Sequence, residues 1–323
     1  MRAIVSSVKG PVLQEVAQPS PGPGQVLVKV HASSLNRADL AMLKGAAHGK
    51  TGGLGSPLGL EWAGEVVDVG PEVTQWGIGS RVMGAGGGAL AQYVIGFAPL
   101  IYAIPDNLSY EQAACFPVAM QTMHDALSSN GHLEAGQSVL IQGASSAVGL
   151  MGMQVAKYLG AKTVVGTSTT AKRRGRLSEF GADVVLDSRS DDWVEQVHQA
   201  TSGDGVDLLV DLLAGPLMTA NLKATRIGGR IVNVGRMAGE VGEVDFDLHS
   251  MRRITYVGVT FRTRSLKEII EVIGLTKKVL GPALEEGALS LPIDKIYPLA
   301  DAAEAFEHMT QNKHFGKIVL SLD

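Results

Sequence analysis

Short apolar runs rich in β-branched residues alternate with turns containing Pro and Gly from the start of the chain to about residue 104. Two examples are Val-Leu-Val-Lys-Val at 26–30 and Gly-Glu-Val-Val-Asp-Val at 64–69. Runs of this length between turn residues are typical of β-strands. The first third of the chain is therefore predicted to form a β-rich, barrel-like domain.

The pattern changes at about residue 111, where apolar strands begin to alternate with helical segments. Such alternation predicts an α/β fold with a doubly wound parallel sheet. The predicted strands are 139–142, 163–167, 183–186, 206–212, 230–234 and 255–260. After residue 265 the pattern predicts helices at 267–279 and 300–310 and a last strand at 317–322. We expect this tail to return to the β-rich domain.

Composition and charge exclude some classes of partner. The formal net charge of -4 argues against a nucleic-acid or anionic-membrane binder. No apolar run reaches the ~18 residues that cross a bilayer, and residues 1–5 read as a charged strand start rather than a secretory leader. Cys115 is the only cysteine, which rules out an internal disulfide and a four-cysteine zinc lobe. We therefore expect a cytoplasmic protein.

A turn of small residues, Gly-Ala-Ser-Ser-Ala-Val-Gly at 143–149, joins the predicted strand 139–142 to a predicted helix at 150–159. Such a turn directs free backbone N–H groups and the positive end of the helix dipole at one point, where a pyrophosphate fits. Ala144 and Ser146 occupy two glycine positions of the dinucleotide fingerprint GxGxxG, and only Gly149 is kept. By itself, the turn is equally compatible with an ordinary strand-to-helix connection.

The end of the next predicted strand favours a cofactor site and suggests which cofactor it binds. Ser168 stands where an NAD-binding protein places an acid to accept hydrogen bonds from the ribose 2′-hydroxyl. Lys172, Arg173 and Arg174 follow, and a hydroxyl beside cations suits a 2′-phosphate better than a neutral diol. The sequence thus predicts NADPH rather than NADH, and a solvated basic helix start is the alternative.

Longer motifs extend this interpretation to the whole chain. They are Ser-Leu-Asn-Arg-Ala-Asp-Leu at 34–40, Leu-Gly-Leu-Glu-Trp-Ala-Gly-Glu-Val at 58–66, Gly-Gly-Ala-Leu-Ala-Gln-Tyr-Val at 87–94, Phe-Pro-Val-Ala-Met-Gln-Thr at 116–122 and Phe-Gly-Lys-Ile-Val-Leu at 315–320. In this order they resemble the medium-chain dehydrogenase/reductase superfamily and its quinone oxidoreductase family. Ser146 and the segments 36–40, 295–298 and 312–317 are most similar to the tumour-suppressor-inducible quinone oxidoreductase branch.

The resemblance implies a specific division of the chain. Residues 1–118 would form a β-rich GroES-like catalytic domain, and residues 119–264 an NADP-binding Rossmann domain with a doubly wound parallel sheet. Residues 265–323 would be a return segment that completes the catalytic domain. The expected edge strand at 255–260 is apolar and unsafe when exposed, so we predict a homodimer in which it pairs with its twin.

The same resemblance allows a check for zinc. Alcohol dehydrogenases of this superfamily hold a catalytic zinc with Cys, His and Cys, but here Asn36 and Leu60 replace the first two ligands and Val118 lies near the third. A carboxamide and two aliphatic side chains do not form a zinc site. Without a Lewis acid a simple ketone is a poor hydride acceptor, so the substrate would be a quinone or an α,β-unsaturated carbonyl, which spreads the incoming charge onto oxygen.

The resemblance also implies site residues. Asn36 is the predicted catalytic residue, a donor to the substrate oxygen, although an Asx-turn role before a short helix is equally compatible. Arg37 and Asp39 are expected to pair locally or to cap that helix. The predicted cofactor-binding residues are Thr122, Ser145, Ser146, Ala147, Val148, Ser168, Lys172, Arg173, Gly235, Val259, Phe261 and Asn312.

Three functions therefore stay open at this point. The leading one is an NADPH-dependent quinone reductase that works without zinc. The second is an NADPH-dependent enoyl or alkenal double-bond reductase on the same scaffold, and the third is a nucleotide-binding protein without turnover. The fold cannot separate them, because one scaffold hosts many reactions.

Overall fold

The computed structural model describes residues 1–49 and 51–322 and has two compact units. The first comprises residues 1–118, 261–287 and 291–323, and the second comprises residues 119–260 and 288–290. Within the described residues, no helix has both the length and the apolar character that a membrane crossing requires.

The secondary-structure elements follow one another along the chain with few long loops. The strands are β1 (Arg2–Ser7), β2 (Gly10–Glu15), β3 (Gln25–Ser34), β4 (Ala47–His48), β5 (Thr51–Gly52), β6 (Glu61–Val69), β7 (Arg81–Ala85), β8 (Tyr93–Phe97), β9 (Tyr102–Ala103), β10 (Ser138–Gln142), β11 (Thr163–Thr167), β12 (Val184–Leu186), β13 (Val206–Asp211), β14 (Thr225–Asn233), β15 (Thr255–Gly258), β16 (Ile293–Pro298) and β17 (Lys317–Ser321). The α-helices are α1 (Arg37–Leu43), α2 (Tyr110–Ala113), α3 (Pro117–His124), α4 (Ala147–Tyr158), α5 (Ala171–Arg174), α6 (Trp193–Ala200), α7 (Met218–Ala224), α8 (Phe246–Arg252), α9 (Leu266–Glu285) and α10 (Ala302–Thr310).

The first unit is built on a seven-stranded sheet in the order β16-β17-β3-β6-β7-β9, with β8 also paired to β3. The central strands β3 and β6 are buried over most of their length, with runs of consecutive buried residues at 26–28, 32–34 and 61–64. Trp62 on β6 is 1% exposed and belongs to that core. The last strand of the chain belongs to this sheet, because β17 pairs antiparallel with β3. The prediction of a β-rich first region is confirmed.

The second unit contains six parallel strands in the order β12-β11-β10-β13-β14-β15. Counted from β10, this is the order 3-2-1-4-5-6 of the doubly wound dinucleotide fold. Val139, Leu140 and Ile141 in β10 are all fully buried, because helices cover both faces of such a sheet. The predicted α/β fold class is confirmed.

Three boundaries differ most from the sequence prediction: the start of β14, which is Thr225 and not residue 230, the start of α4 and the end of α9. Helix α4 begins at Ala147 rather than at residue 150, because Ser146 caps it. Helix α9 continues to Glu285 and passes through Pro282, well beyond the predicted end at residue 279. Leu280, Ala283 and Leu284 are buried in that last part, so packing overrides the usual cost of a proline inside a helix.

Candidate functional site

The turn between β10 and α4 is held by a serine rather than by glycines. The Ser146 hydroxyl accepts a hydrogen bond from the Gly149 N–H at 3.1 Å and donates one to the Gly143 carbonyl at 3.0 Å. A Cβ atom on Gly149 would lie 2.6 Å from Ala144 Cα, so helix and turn touch closely at the retained glycine. The Ser146 side chain is therefore committed to the cap, while the N–H groups of Ala147 and Val148 have no acceptor inside the helix and suit an anion.

Two predicted cofactor residues meet at the carboxyl ends of β10 and β11. Ser168 directly follows β11 and is 4% exposed. Its Oγ atom lies 3.0 Å from the Oγ atom of Ser145 in the turn. A hydrogen bond thus joins the turn to the end of β11, where a ribose would bind.

Four cations gather near this strand end. Lys172 is exposed and Arg173 is partly buried, both in α5. Arg174 forms an ion pair with Asp187 at 3.1 Å and donates to the Ser168 carbonyl at 2.8 Å. Arg189 also pairs with Asp187, at 3.2 Å.

The roles of Asp187 and Arg189 were missed in the sequence. Hydrogen bonds from Arg189 lower the pKa of the Asp187 carboxyl, so it stays ionised and holds two of the four cations. The available signal was position, because Asp187 directly follows β12 and carboxyl ends of parallel strands share one edge of the sheet. Positive charge exceeds negative charge here, which suits a phosphate group.

A buried hydrogen-bond network supports the turn from below. Thr167 Oγ1 accepts from the Gly143 N–H at 3.0 Å and donates to Gln142 Oε1 at 2.7 Å. Gln142 Nε2 donates to Asn221 Oδ1 at 3.0 Å, and Asn221 Nδ2 donates to Asp211 Oδ2 at 3.1 Å. The network therefore runs from the turn to the end of β13.

Asp211 extends this hydrogen-bond network to the loop that follows β13. Its Oδ1 atom accepts from the N–H groups of Leu213 and Ala214 at 2.8 and 2.9 Å. Burial raises the pKa of the Asp211 carboxyl. The predicted cofactor residue Gly235 also lies against this loop, because a Cβ atom there would be 2.5 Å from the Leu212 carbonyl oxygen. Only glycine therefore fits at position 235, because the Cβ atom of any other residue would clash with this carbonyl oxygen.

The other predicted cofactor-binding residues are divided between the two units. In the second unit, Thr122 is partly buried in α3, and the Val259 N–H after β15 donates to the Asn233 carbonyl at 3.0 Å. In the first unit, the Phe261 ring lies 5.2 Å from the Arg264 guanidinium. Asn312 Oδ1 accepts from Arg37 Nη2 at 2.7 Å. This bond joins Arg37 to the distant tail of the chain, and it is not the local pairing that was expected of Arg37.

Asn36, the predicted catalytic residue, belongs to a buried polar cluster of the first unit. Its Nδ2 atom donates to Glu61 Oε1 at 2.8 Å, and its Oδ1 atom accepts from Lys317 Nζ at 2.9 Å. Glu61 and Lys317 form an ion pair and are 0% and 3% exposed, while Asn36 is 9% exposed. The motifs that contain Glu61 and Lys317 gave no indication of a role for either residue, because the contact between them depends on the pairing of segments that are distant in the chain.

Asp39 completes the start of α1. Its Oδ2 atom accepts from the Asn36 N–H at 2.7 Å, as the expected capping role requires. The carboxyl is fully buried, and this burial raises its pKa to about 7. Asp39 is therefore an acid that holds its proton far more readily than an exposed one.

The residues at the expected zinc position do not fit a metal. Leu60 is buried, and Val118 supplies only its backbone N–H, which donates to Glu61 Oε2 at 2.9 Å. Across residues 1–49 and 51–322, no three or more His, Cys, Asp and Glu side chains gather in a way that would hold a metal ion. An amide, a leucine and a valine lack the thiolate or imidazole donors that zinc requires.

Two family models match this chain. The model described as alcohol dehydrogenase GroES-like domain matches residues 22–106, and the model described as zinc-binding dehydrogenase matches residues 147–277. Among curated proteins, the chain is 33% identical over 304 residues to a mycocerosic acid synthase-like polyketide synthase of Mycobacterium tuberculosis. That match covers 94% of this chain but only 14% of the relative.

Solved structures match over the full length. An alcohol dehydrogenase superfamily protein from Novosphingobium aromaticivorans is 29% identical with a TM-score of 0.90, each chain being covered completely. A mycobacterial quinone oxidoreductase is 28% identical with a TM-score of 0.88, again with complete coverage of both chains. The CurK enoyl reductase is 26% identical with a TM-score of 0.86, covering 100% of this chain and 99% of that one. A further mycobacterial neighbour was solved in complex with NADPH.

Proposed function

Because this chain belongs to the medium-chain dehydrogenase/reductase superfamily, we propose that it is an NADPH-dependent oxidoreductase that reduces a quinone without zinc. We place it in the quinone oxidoreductase family, in the tumour-suppressor-inducible branch. One observation carries the proposal. Where zinc-dependent relatives hold a metal, this chain has Asn36 and Leu60, and the adjacent Glu61 is neutralised by the Lys317 ammonium.

The cofactor proposal rests on the polar surface at the ends of β10 and β11. The Ala147 and Val148 N–H groups and the α4 dipole would bind the pyrophosphate. Ser168, Lys172 and Arg173 would bind the 2′-phosphate, since a hydroxyl and two cations favour a dianion. When bound, NADPH supplies a hydride to the acceptor. The NADPH complex of a structural neighbour supports this choice.

The acceptor proposal follows from the chemistry of Asn36. A carboxamide N–H can donate one hydrogen bond to a substrate oxygen, which stabilises charge developing there but polarises it far less than a metal ion. An acceptor with a conjugated system needs only such modest help. Quinones meet this condition, and a mycobacterial quinone oxidoreductase is a structural neighbour of this chain over its full length.

A second candidate is the reduction of a carbon–carbon double bond conjugated with a carbonyl. The CurK enoyl reductase matches the whole chain, and the curated polyketide synthase relative aligns over 94% of it. The same Asn36 donor would bind the carbonyl oxygen of an enone or enoyl thioester. Because the chain spans only 14% of that relative, the activity of the whole synthase is not a guide to its substrate.

A panel of acceptors tests these proposals. NADPH oxidation would be followed with quinones and with enones and enoyl thioesters, each titrated to saturation. A higher kcat/KM for quinones supports the first candidate, and a higher value for enones or enoyl thioesters supports the second. Tight NADPH binding with no turnover on any acceptor would instead identify a nucleotide-binding protein without turnover.

We also propose a homodimer formed through β15. This strand lies at the edge of the six-stranded sheet and pairs only with β14 among the described residues of the chain. Tyr256 on it is 43% exposed, and the neighbouring segment leaves Phe246 and Met251 75% and 68% exposed. An exposed edge strand beside apolar residues is stabilised when a second copy pairs with it.

A further inference from the structure

The ammonium group of Lys317 is fully occupied by partners within the first unit. It donates to the Glu61 carboxylate, to Asn36 Oδ1 at 2.9 Å and to the Leu35 carbonyl at 3.4 Å. An ammonium has three hydrogens, so these three acceptors use all of them. Lys317 therefore has no hydrogen left with which to bind or protonate a substrate.

The Glu61 carboxylate is saturated in the same way. Besides Lys317, its Oε1 atom accepts from Ser34 Oγ at 2.6 Å and from Asn36 Nδ2 at 2.8 Å. Its Oε2 atom accepts from the Val118 N–H at 2.9 Å. A carboxylate that accepts from this many donors is neither a free base nor a metal ligand. Its charge therefore stabilises the buried cluster of Ser34, Asn36, Val118 and Lys317.

The two charges together fix the orientation of Asn36. Its amide oxygen faces the ammonium and its amide nitrogen faces the carboxylate. Rotation of the carboxamide by half a turn would place the NH₂ group against a cation and the oxygen against an anion, both in a buried site where charge interactions are strong. One of the two Nδ2 hydrogens is used by Glu61, and the second has no acceptor in residues 1–49 or 51–322.

We propose that Lys317 and Glu61 are positioning residues that hold the Asn36 carboxamide in one orientation, so that its second Nδ2 hydrogen is kept for the oxygen of the acceptor. The catalytic part of this proposal rests on the proposed function. The ion pair contacts Asn36, which occupies the place of one zinc ligand, and it acts on the substrate only through Asn36. Neither charged residue touches the substrate.

A double variant, Glu61→Gln with Lys317→Met, removes both buried charges while keeping side chains of similar length. We expect kcat to fall ~10–100-fold, because a misdirected donor loses its geometry, while the Kd for NADPH changes less than about twofold. Lys313→Met is the matched control, since Lys313 is exposed in the loop before β17. It should leave both constants unchanged.

Asn36→Leu distinguishes positioning from a general structural role. If Lys317 and Glu61 act through Asn36, adding the double variant to Asn36→Leu should lower kcat no further. If the losses multiply instead, the positioning proposal is overturned.

Lys317→Arg is the second variant in case the double variant does not fold. It keeps the charge but not the three-way geometry, so kcat should fall ~10-fold, and an unchanged kcat in folded protein would contradict the proposal.

A readout independent of any acceptor separates this proposal from the proposed function. The two side-chain amide protons of Asn36, assigned by their absence in Asn36→Leu, should have well-separated NMR shifts in the wild type. In the wild type, one of the two protons is hydrogen-bonded to the buried Glu61 carboxylate, which separates their shifts. The shifts should therefore converge in the double variant, which lacks that carboxylate, or change in Lys317→Arg. If the wild type reduces no acceptor but the shifts respond in this way, the proposed function fails and the positioning of Asn36 stands. Shifts that do not respond would overturn the positioning itself.

Discussion

The Oγ atoms of Ser145 and Ser168 lie 3.0 Å apart and join the turn after β10 to the end of β11. Ser145 belongs to the turn that would bind a pyrophosphate, and Ser168 lies where a ribose or its 2′-phosphate would bind. A hydrogen bond between them fixes the distance between these two parts of the surface. Cofactor selectivity should therefore depend on the charges around this fixed pair rather than on loop movement.

Replacing Lys172 and Arg173 with Ala should weaken NADPH binding ~10-fold or more and leave the Kd for NADH within about twofold. The reason is that these cations would interact with a 2′-phosphate that NADH lacks. Because Lys172 is exposed, the effect should shrink as salt is added. Calorimetric titration with both nucleotides measures it. Lys162→Ala, an exposed lysine before β11, is the control, and equal losses for NADPH and NADH would refute the phosphate role.

Gly149→Ala should destabilise the second unit and impair cofactor binding. The added Cβ atom would lie 2.6 Å from Ala144 Cα, so the turn or the helix must shift, at a cost of ~1–3 kcal/mol. Gly274→Ala in α9 is the matched control, because a Cβ atom there meets nothing within 4 Å. It should be stabilising by ~0.5–1 kcal/mol, since alanine favours a helix. Chemical denaturation and NADPH titration of both variants test this contrast. A Gly149→Ala variant as stable as the wild type would contradict the prediction.

Asp39 should make the protein less stable as pH rises towards neutrality. Its pKa is about 7 when folded and ~4 when unfolded, so the folded state binds the extra proton between these values. The free energy of unfolding should therefore fall from pH ~4 to ~7 by up to ~4 kcal/mol through this group, and show no further loss from it above that range.

Asp39→Asn should remove this part of the pH dependence. Urea unfolding between pH ~4 and ~8 would compare it with the wild type and with Asp106→Asn, an exposed carboxylate in a loop. The difference in unfolding free energy between Asp39→Asn and the wild type should change steadily with pH, while that for Asp106→Asn stays flat. A flat difference for both variants would show that Asp39 titrates normally.

Tyr256→Lys should convert the proposed dimer to monomers, because a lysine on an edge strand opposes pairing with a second copy. Light scattering of the purified protein would measure the mass. Tyr158→Lys makes the same substitution on a residue of similar exposure at the end of α4, and it should leave the dimer intact. A monomeric mass for the wild type would refute the dimer altogether.

Much of the fold followed from local pattern. The apolar runs located every strand of the parallel sheet, because buried parallel strands are short apolar runs, although β14 begins at Thr225 and not at the predicted residue 230. The end of α9 was harder to place, since the packing beyond Pro282 is decided by contacts with distant parts of the chain. The start of α4 had a local signal, because Ser146 caps the helix through the Gly149 N–H only three residues on. The pairing of Asp187 with Arg174 depends on tertiary structure, because it needs the ends of β11 and β12 to lie side by side, whereas the pairing of Asp187 with Arg189 is local and was simply missed.

The sequence alone determined the parallel sheet, the serine-containing turn, the basic segment after Ser168 and the replacement of the zinc ligands by Asn36 and Leu60. These are properties of residue type and spacing over short stretches of chain. The tertiary structure alone decided what surrounds Asn36. Glu61 and Lys317 are far apart in the chain, and only the pairing of β17 with β3 and of β3 with β6 brings their charges together. Once buried, each charge requires the other, and the Asn36 carboxamide forms a hydrogen bond with both.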